Sequence, residues 1–131
     1  VVIPTAVQAE LIDPDSPIPD WMNPPPAWLR ILTPTHIQPD LQLDPGECAA
    51  ISLALELNAD RLLIDERPGR KAAIARRLKV AGTLAVILDA SEKKLIDGIS
   101  TLTRLEQTIF LLLLRYLKPF AYAYLEHEIN L

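Results

Sequence analysis

The chain has a single cysteine, Cys48, and only two histidines, His36 and His127, in 131 residues. One cysteine excludes a disulfide framework and a cysteine-based zinc site. Neither histidine has metal-ligand spacing with the other or with the cysteine, so a histidine-based mechanism has no footing. A long apolar run is also lacking: the longest strictly apolar stretch, Ile109 to Leu114, is too short to span a bilayer. Val1-Val2-Ile3-Pro4 lacks the basic opening of a signal peptide. These absences point to a reducing, cytoplasmic setting, away from export or membrane insertion. Gly82-Thr83 is far too little for a phosphate-cradling loop, and helix N-capping is the stronger reading of Thr83 over phosphate contact. Ser52 lies in an apolar run without a partner base, so a hydrolase triad is unsupported. No tandem repeat is present.

What is present is half hydrophobic residues and 23% charged ones, enough for one globular domain with a real core. The net charge of −4 is unevenly spread. Residues 1–60 hold nine acids against Arg30 alone, whereas residues 61–131 hold eight acids and twelve bases, giving about −8 and +4. Seven of the thirteen bases fall between Arg61 and Lys79. Such a strip suits a phosphate-bearing partner, although for Arg76 and Arg77 a solvated helix face explains the charge at least as well.

Val1-Val2-Ile3 reads as a strand stopped by Pro4, with a helix from Pro4 to Leu11. An opening of this kind resembles the interior of a domain, so missing upstream sequence and a literally translated non-standard start codon are both expectations. Ten of the twelve prolines precede residue 46, and Asp13 to Pro26 has too few amide donors for regular structure. Trp21 within that loop and Trp28 just after it are expected to be structural, pinning it to the body. A strand over Trp28 to Leu32 follows.

Asp44 as N-cap, Pro45 at the first helical position and Glu47 at the third predict a helix to about Asn58, apolar on nearly every face and hence buried. Arg61 to Ile64 then reads as a strand and Pro68 to Leu78 as a helix. A short Lys79-Val80 extension precedes a helix from Gly82-Thr83 to Ala90. Alternating helices and apolar strands predict a parallel sheet. From Glu92 the pattern is helical with a break at Asp97-Gly98 and another at Pro119, ahead of a tail carrying Tyr122, Tyr124 and His127. The stretch 101–117 is more apolar than one helix face needs, which predicts a homodimer.

The stretch LDPGECAAISLALELNADRLLIDE, Leu43 to Glu66, is the most informative. A helix opened by acids leads into a strand ending on paired acids, so Glu47, Asp65 and Glu66 can gather around one point. Ligands of parallel α/β sheets collect at the carboxyl ends of strands, where carboxylates suit a divalent metal. Each acid also has a plain explanation. Glu47 can close a capping box with Asp44, Asp65 can start a turn or cap the helix behind Pro68, and Glu10 can be an ordinary surface glutamate.

The segments VVIPTAVQAEL, PPPAWLRI, LDPGECAAISLALELNADRLLIDERPGRKAA and VAGTLAVILDASEKKLI together resemble the PIN-domain superfamily. More narrowly, the pattern is similar to its small prokaryotic branch described as nucleic-acid-binding proteins containing a PIN domain, related to the toxin components of toxin-antitoxin pairs. The resemblance runs over residues 1–96, leaving 97–131 as a divergent helical extension. It implies a three-layer α/β/α domain with a parallel sheet, and an Mg²⁺- or Mn²⁺-dependent ribonuclease site of converging acids. By that resemblance Glu10, Glu47 and Asp65 are catalytic and metal-binding, with Glu66 as a further ligand. Arg67, Arg70 and Lys71 are expected to approach the RNA, and an antitoxin protein is the expected partner. The family's first strand ends on an aspartate, and this chain begins after that element with no residue replacing it. A non-catalytic nucleic-acid-binding or protein-interaction module of the same fold is the alternative.

Overall fold

A computed structural model gives the architecture and describes residues 1–12 and 22–108. Trp21, most of the proline-rich loop, the second half of the 101–117 stretch, Pro119 and the tail with its tyrosines and His127 lie outside the described residues. The chain divides into two units, Val1–Val86 and Ile87–Leu131.

In the first unit, β1 (Val2–Pro4) leads into α1 (Thr5–Leu11) and then β2 (Arg30–Leu32). These strands are parallel, with Val2 opposite Arg30 and Pro4 opposite Leu32. Next come α2 (Pro45–Glu56), β3 (Leu62–Leu63), α3 (Arg67–Ala75) and β4 (Val80–Ala81). Strand β4 lies parallel to β3. The expected parallel α/β arrangement is therefore present, its described strands forming two pairs. The Lys79-Val80 extension proves to lead into a strand. Leu62 N–H donates to Lys79 at 2.8 Å and Ile64 N–H to Ala81 at 2.9 Å.

Helix α2 joins the two pairs because it touches both β1 and β3. Being apolar on nearly all sides, it has no wet face to spare, and Cys48, Ala49, Ile51, Ser52, Leu53 and Ala54 are buried. Ile51 and Ala54 form the core with Leu62, Ile64 and Ala73. Ser52 and Glu56 tie down the segment after β2. Buried Ser52 accepts from Gln38 N–H at 3.0 Å and donates to the Cys48 carbonyl at 2.7 Å. Glu56 accepts from Thr35 N–H, the Thr35 hydroxyl and His36 N–H at 3.1, 2.8 and 2.9 Å.

Trp28 lies in a turn and is 60% exposed, and most of the loop it is expected to pin lies outside the described residues. Its carbonyl accepts from the Val1 ammonium at 3.1 Å, and β2 starts at Arg30 and not, as expected, at Trp28.

Helix α4 (Thr83–Glu92) starts in the first unit and continues into the second. Its end is followed by a turn, and residues 98–108 are helical again. The expected break is a real N-cap, with Ser100 N–H donating to Asp97 Oδ1 at 2.6 Å. Among the described residues no helix is long and apolar enough to cross a membrane.

Candidate functional site

The start of α2 sets the site. Asp44 caps it, accepting Glu47 N–H on Oδ1 at 2.9 Å, and Pro45 occupies the first turn where no amide is needed. The cap holds the backbone of Glu47 and leaves its carboxylate free to reach the next helix. That carboxylate lies against Gly69 in the first turn of α3, so close that a side-chain carbon on residue 69 would collide with Glu47 Oε1 and Ile64. Glycine at 69 is thus a condition of the acid's position.

The neighbouring acids follow the same pattern. Glu10, on α1, reaches the first turn of α2, where a Cβ on Gly46 would stand 2.5 Å from its Oε1. Asp65, just beyond β3, reaches the start of α4. Thr83 N–H donates to its Oδ1 at 2.8 Å and the Thr83 hydroxyl to its Oδ2 at 2.5 Å. Glu10, Glu47 and Asp65 are therefore each laid against the beginning of a later helix, where the backbone amides favour negative charge.

Their electrostatic settings differ. Glu47 is pushed above the ordinary carboxylate value by burial first, and then by the negative charges of Asp44 and Glu66. Asp65 is held below its ordinary value by the Thr83 hydroxyl, then by the Thr83 amide, with the Arg70 charge assisting. Glu66 is exposed beside it at the N-cap position of α3.

A divalent cation needs oxygen donors with unsatisfied lone pairs in a negative field. Glu47 Oε1 is buried and has no hydrogen-bond partner among the described residues, and Asp44 and Glu66 supply the field. That donor suits Mg²⁺ or Mn²⁺ in an open site, since Mg²⁺ commonly takes one or two carboxylates and completes its shell with water and substrate phosphate. A closed cage does not fit: among the described residues no group of three acids, histidines or cysteines stands close enough to hold an ion.

The basic residues expected to meet RNA lie on α3, on either side of Gly69. Arg67, Arg70 and Lys71, with exposed Ile74, line a shallow cavity of about 290 Å³. Arg67 and Lys71 are exposed, whereas half-buried Arg70 donates from Nη1 to the Ile64 carbonyl at 3.1 Å. Arg76 is engaged elsewhere, in a 2.6 Å ion pair with Asp40.

Sequence reasoning missed Thr83 as the partner of Asp65. Neither role weighed for it describes what its side chain does: the hydroxyl goes to an acid 18 residues earlier. Asp65 likewise meets α4 and not the helix behind Pro68. The available signal was a Gly-Thr pair directly after an apolar segment, in a chain whose preceding strand ends on an acid.

A family model, DUF3368, described as a PIN domain, matches residues 1–116. No curated protein and no solved structure matches the chain.

Proposed function

The chain belongs to the PIN-domain family, whose fold is nuclease-like, and on that premise we propose that it is a metal-dependent endoribonuclease. In this reading it is the toxin-like component of a cytoplasmic toxin-antitoxin pair, with RNA as substrate, an antitoxin protein as partner and a second copy of itself as a further contact. The observation that carries the proposal is Glu47 Oε1, buried without a hydrogen-bond partner among the described residues and flanked by Asp44 and Glu66. A group left so would cost stability to no purpose unless a cation or a proton completes it.

Mg²⁺ or Mn²⁺ would be held from Glu47 in an open site completed by water and substrate phosphate, and Asp65, Glu66 and Glu10 would join as further carboxylates only on drawing closer than they stand in the described residues. Such an ion lowers the pKa of a bound water and offsets the charge that develops on phosphate. The chain's own contribution is to orient acids at helix starts and to hold the RNA backbone. Arg67 and Lys71, both exposed, would do the latter, and Arg70 shares itself with the Ile64 carbonyl.

The test is incubation of the protein with structured RNA and Mn²⁺. Cleavage is expected, reduced by on the order of 100-fold or more in Glu47→Ala and Asp65→Ala. Cleavage at wild-type rates by both variants would sink the proposal. The second reading, a nucleic-acid-binding module without catalysis, is favoured by the separation of the acids, since Glu10, Glu47 and Asp65 each lie against a different helix start. It predicts salt-sensitive RNA binding that depends on Arg67 and Lys71, with no Mn²⁺-dependent product.

A further inference from the structure

We propose that Thr83, set in place by Gly82, is the positioning residue for Asp65. The inference rests on the nuclease reading for its catalytic consequence and on geometry alone for its structural one. A carboxylate at the end of a two-residue strand, exposed to solvent, has no local reason to keep one orientation. Asp65 nevertheless has each oxygen assigned to a separate donor of one residue. Oδ1 receives the Thr83 amide at 2.8 Å and Oδ2 the Thr83 hydroxyl at 2.5 Å. Two bonds from one residue to two oxygens fix the plane of the carboxylate as well as its place. The hydroxyl contact is in the short range of charge-assisted bonds.

Two further residues close the cradle. A Cβ on Gly82 would stand 2.6 Å from Asp65 Oδ1 and 3.2 Å from Arg70 Nη1, so the carboxylate and the guanidinium share the space that glycine leaves open. Arg70 is itself anchored on the Ile64 carbonyl at 3.1 Å, immediately before Asp65. Thr83 lies within the turn that starts α4, whereas Asp65 follows β3, and the clamp ties these elements together across 18 residues. An ionised carboxylate has about four lone-pair sites. The clamp uses one on each oxygen, so each oxygen keeps a second for substrate, water or metal. Thr83 therefore acts through Asp65: it sets where the remaining lone pairs point.

The experiment compares the full chain with Thr83→Val, which removes the hydroxyl and keeps the β-branch, Thr83→Ser, which restores the hydroxyl, and Gly82→Ala, which crowds Oδ1 while leaving Thr83 intact. The first readout is the Asp65 χ1 rotamer, from side-chain couplings in solution. One rotamer is expected in the wild type and in Thr83→Ser, and averaging or displacement in Thr83→Val and Gly82→Ala. The second is Mn²⁺-dependent cleavage of a short RNA. In Thr83→Val, kcat at saturating RNA is expected to fall on the order of 10- to 100-fold with KM unchanged, and Thr83→Ser is expected to recover it. Circular dichroism melts exclude variants that do not fold, and Thr83→Ser stands as the folded control. A single unaltered Asp65 rotamer in Thr83→Val overturns the proposal, and so does equal loss of rate in Thr83→Ser and Thr83→Val. If the wild type cuts no RNA, the nuclease reading fails while the rotamer comparison still decides the positioning role.

Discussion

Glu47 and Asp65 are driven in opposite directions by their surroundings, and the signs of their pH effects differ accordingly. For Glu47 the folded state raises the value above the ordinary 4.5. Its contribution to stability is therefore full below pH 4.5 and is lost as pH rises through the raised value. For Asp65 the folded state lowers the value below 3.8, so its contribution is present above that pH and is lost as pH falls through the lowered value. Removing the charge at each site should show this. Glu47→Gln is expected to melt higher than the wild type at pH 7 and level with it near pH 4. The gain should be under about 1 kcal/mol, because solvent still screens much of the side chain. Asp65→Asn is expected to melt lower at pH 7 and to converge on the wild type in strong acid. Thermal melts across pH 2–8 check both. A Glu47→Gln protein less stable than the wild type at pH 7 would mean that the carboxylate has a favourable partner there.

At the level of elements, α2 carries the fold, since it touches both strand pairs and supplies Ile51 and Ala54 to the core. Ile51→Ala is expected to cost about 2–5 kcal/mol, read as a lower urea midpoint with an unchanged slope. A cost near zero would mean that the strand pairs do not depend on this helix. Two other helices end on left-handed residues with side chains, Arg77 at φ 63° and Lys94 at φ 57°. Arg77→Gly should relieve that strain and stabilise the chain by up to about 1 kcal/mol, checked in the same titration. Elements such as α2 are legible in sequence because their start signals are local. Asp44, Pro45 and Glu47 lie within one turn, and the structure uses the first as the expected cap. In the sequence β4 reads only as an extension because Val80-Ala81 is too short to show a period, and only pairing with Leu62 and Leu63 makes it a strand. The start of β2 is illegible for a related reason: Trp28 suits a strand, but the turn that holds it delays the pairing to Arg30. The site divides along the same line. The acids could be chosen from their places at helix and strand ends. The Asp65–Thr83 clamp and the closeness of Glu47 to Gly69 join residues far apart in the chain, and no local pattern encodes them.

At the level of the whole molecule, the unit that starts at Ile87 poses a solvation problem. Among its described residues, 87–108, none is buried, and Leu88, Leu95 and Ile99 are 60, 73 and 81% exposed. Single exposed apolar side chains are ordinary, but several large ones within a short segment are what interaction surfaces show. A second copy is the proposed cover, consistent with the apolar excess of 101–117 read from the sequence. Self-association through apolar side chains should respond to concentration and hardly to salt, whereas RNA binding by the basic strip between Arg61 and Lys79 should weaken steeply with salt. Light scattering after size exclusion is expected to give a mass rising toward a dimer with concentration. Ile99→Glu should hold the protein at the monomer mass at every concentration, because a buried unpaired charge costs more than one such contact returns. A wild-type mass equal to the 14.6 kDa monomer at all concentrations would remove the dimer from the proposal. It would leave the acids at the helix starts, and the clamp on Asp65, to be judged on their own tests.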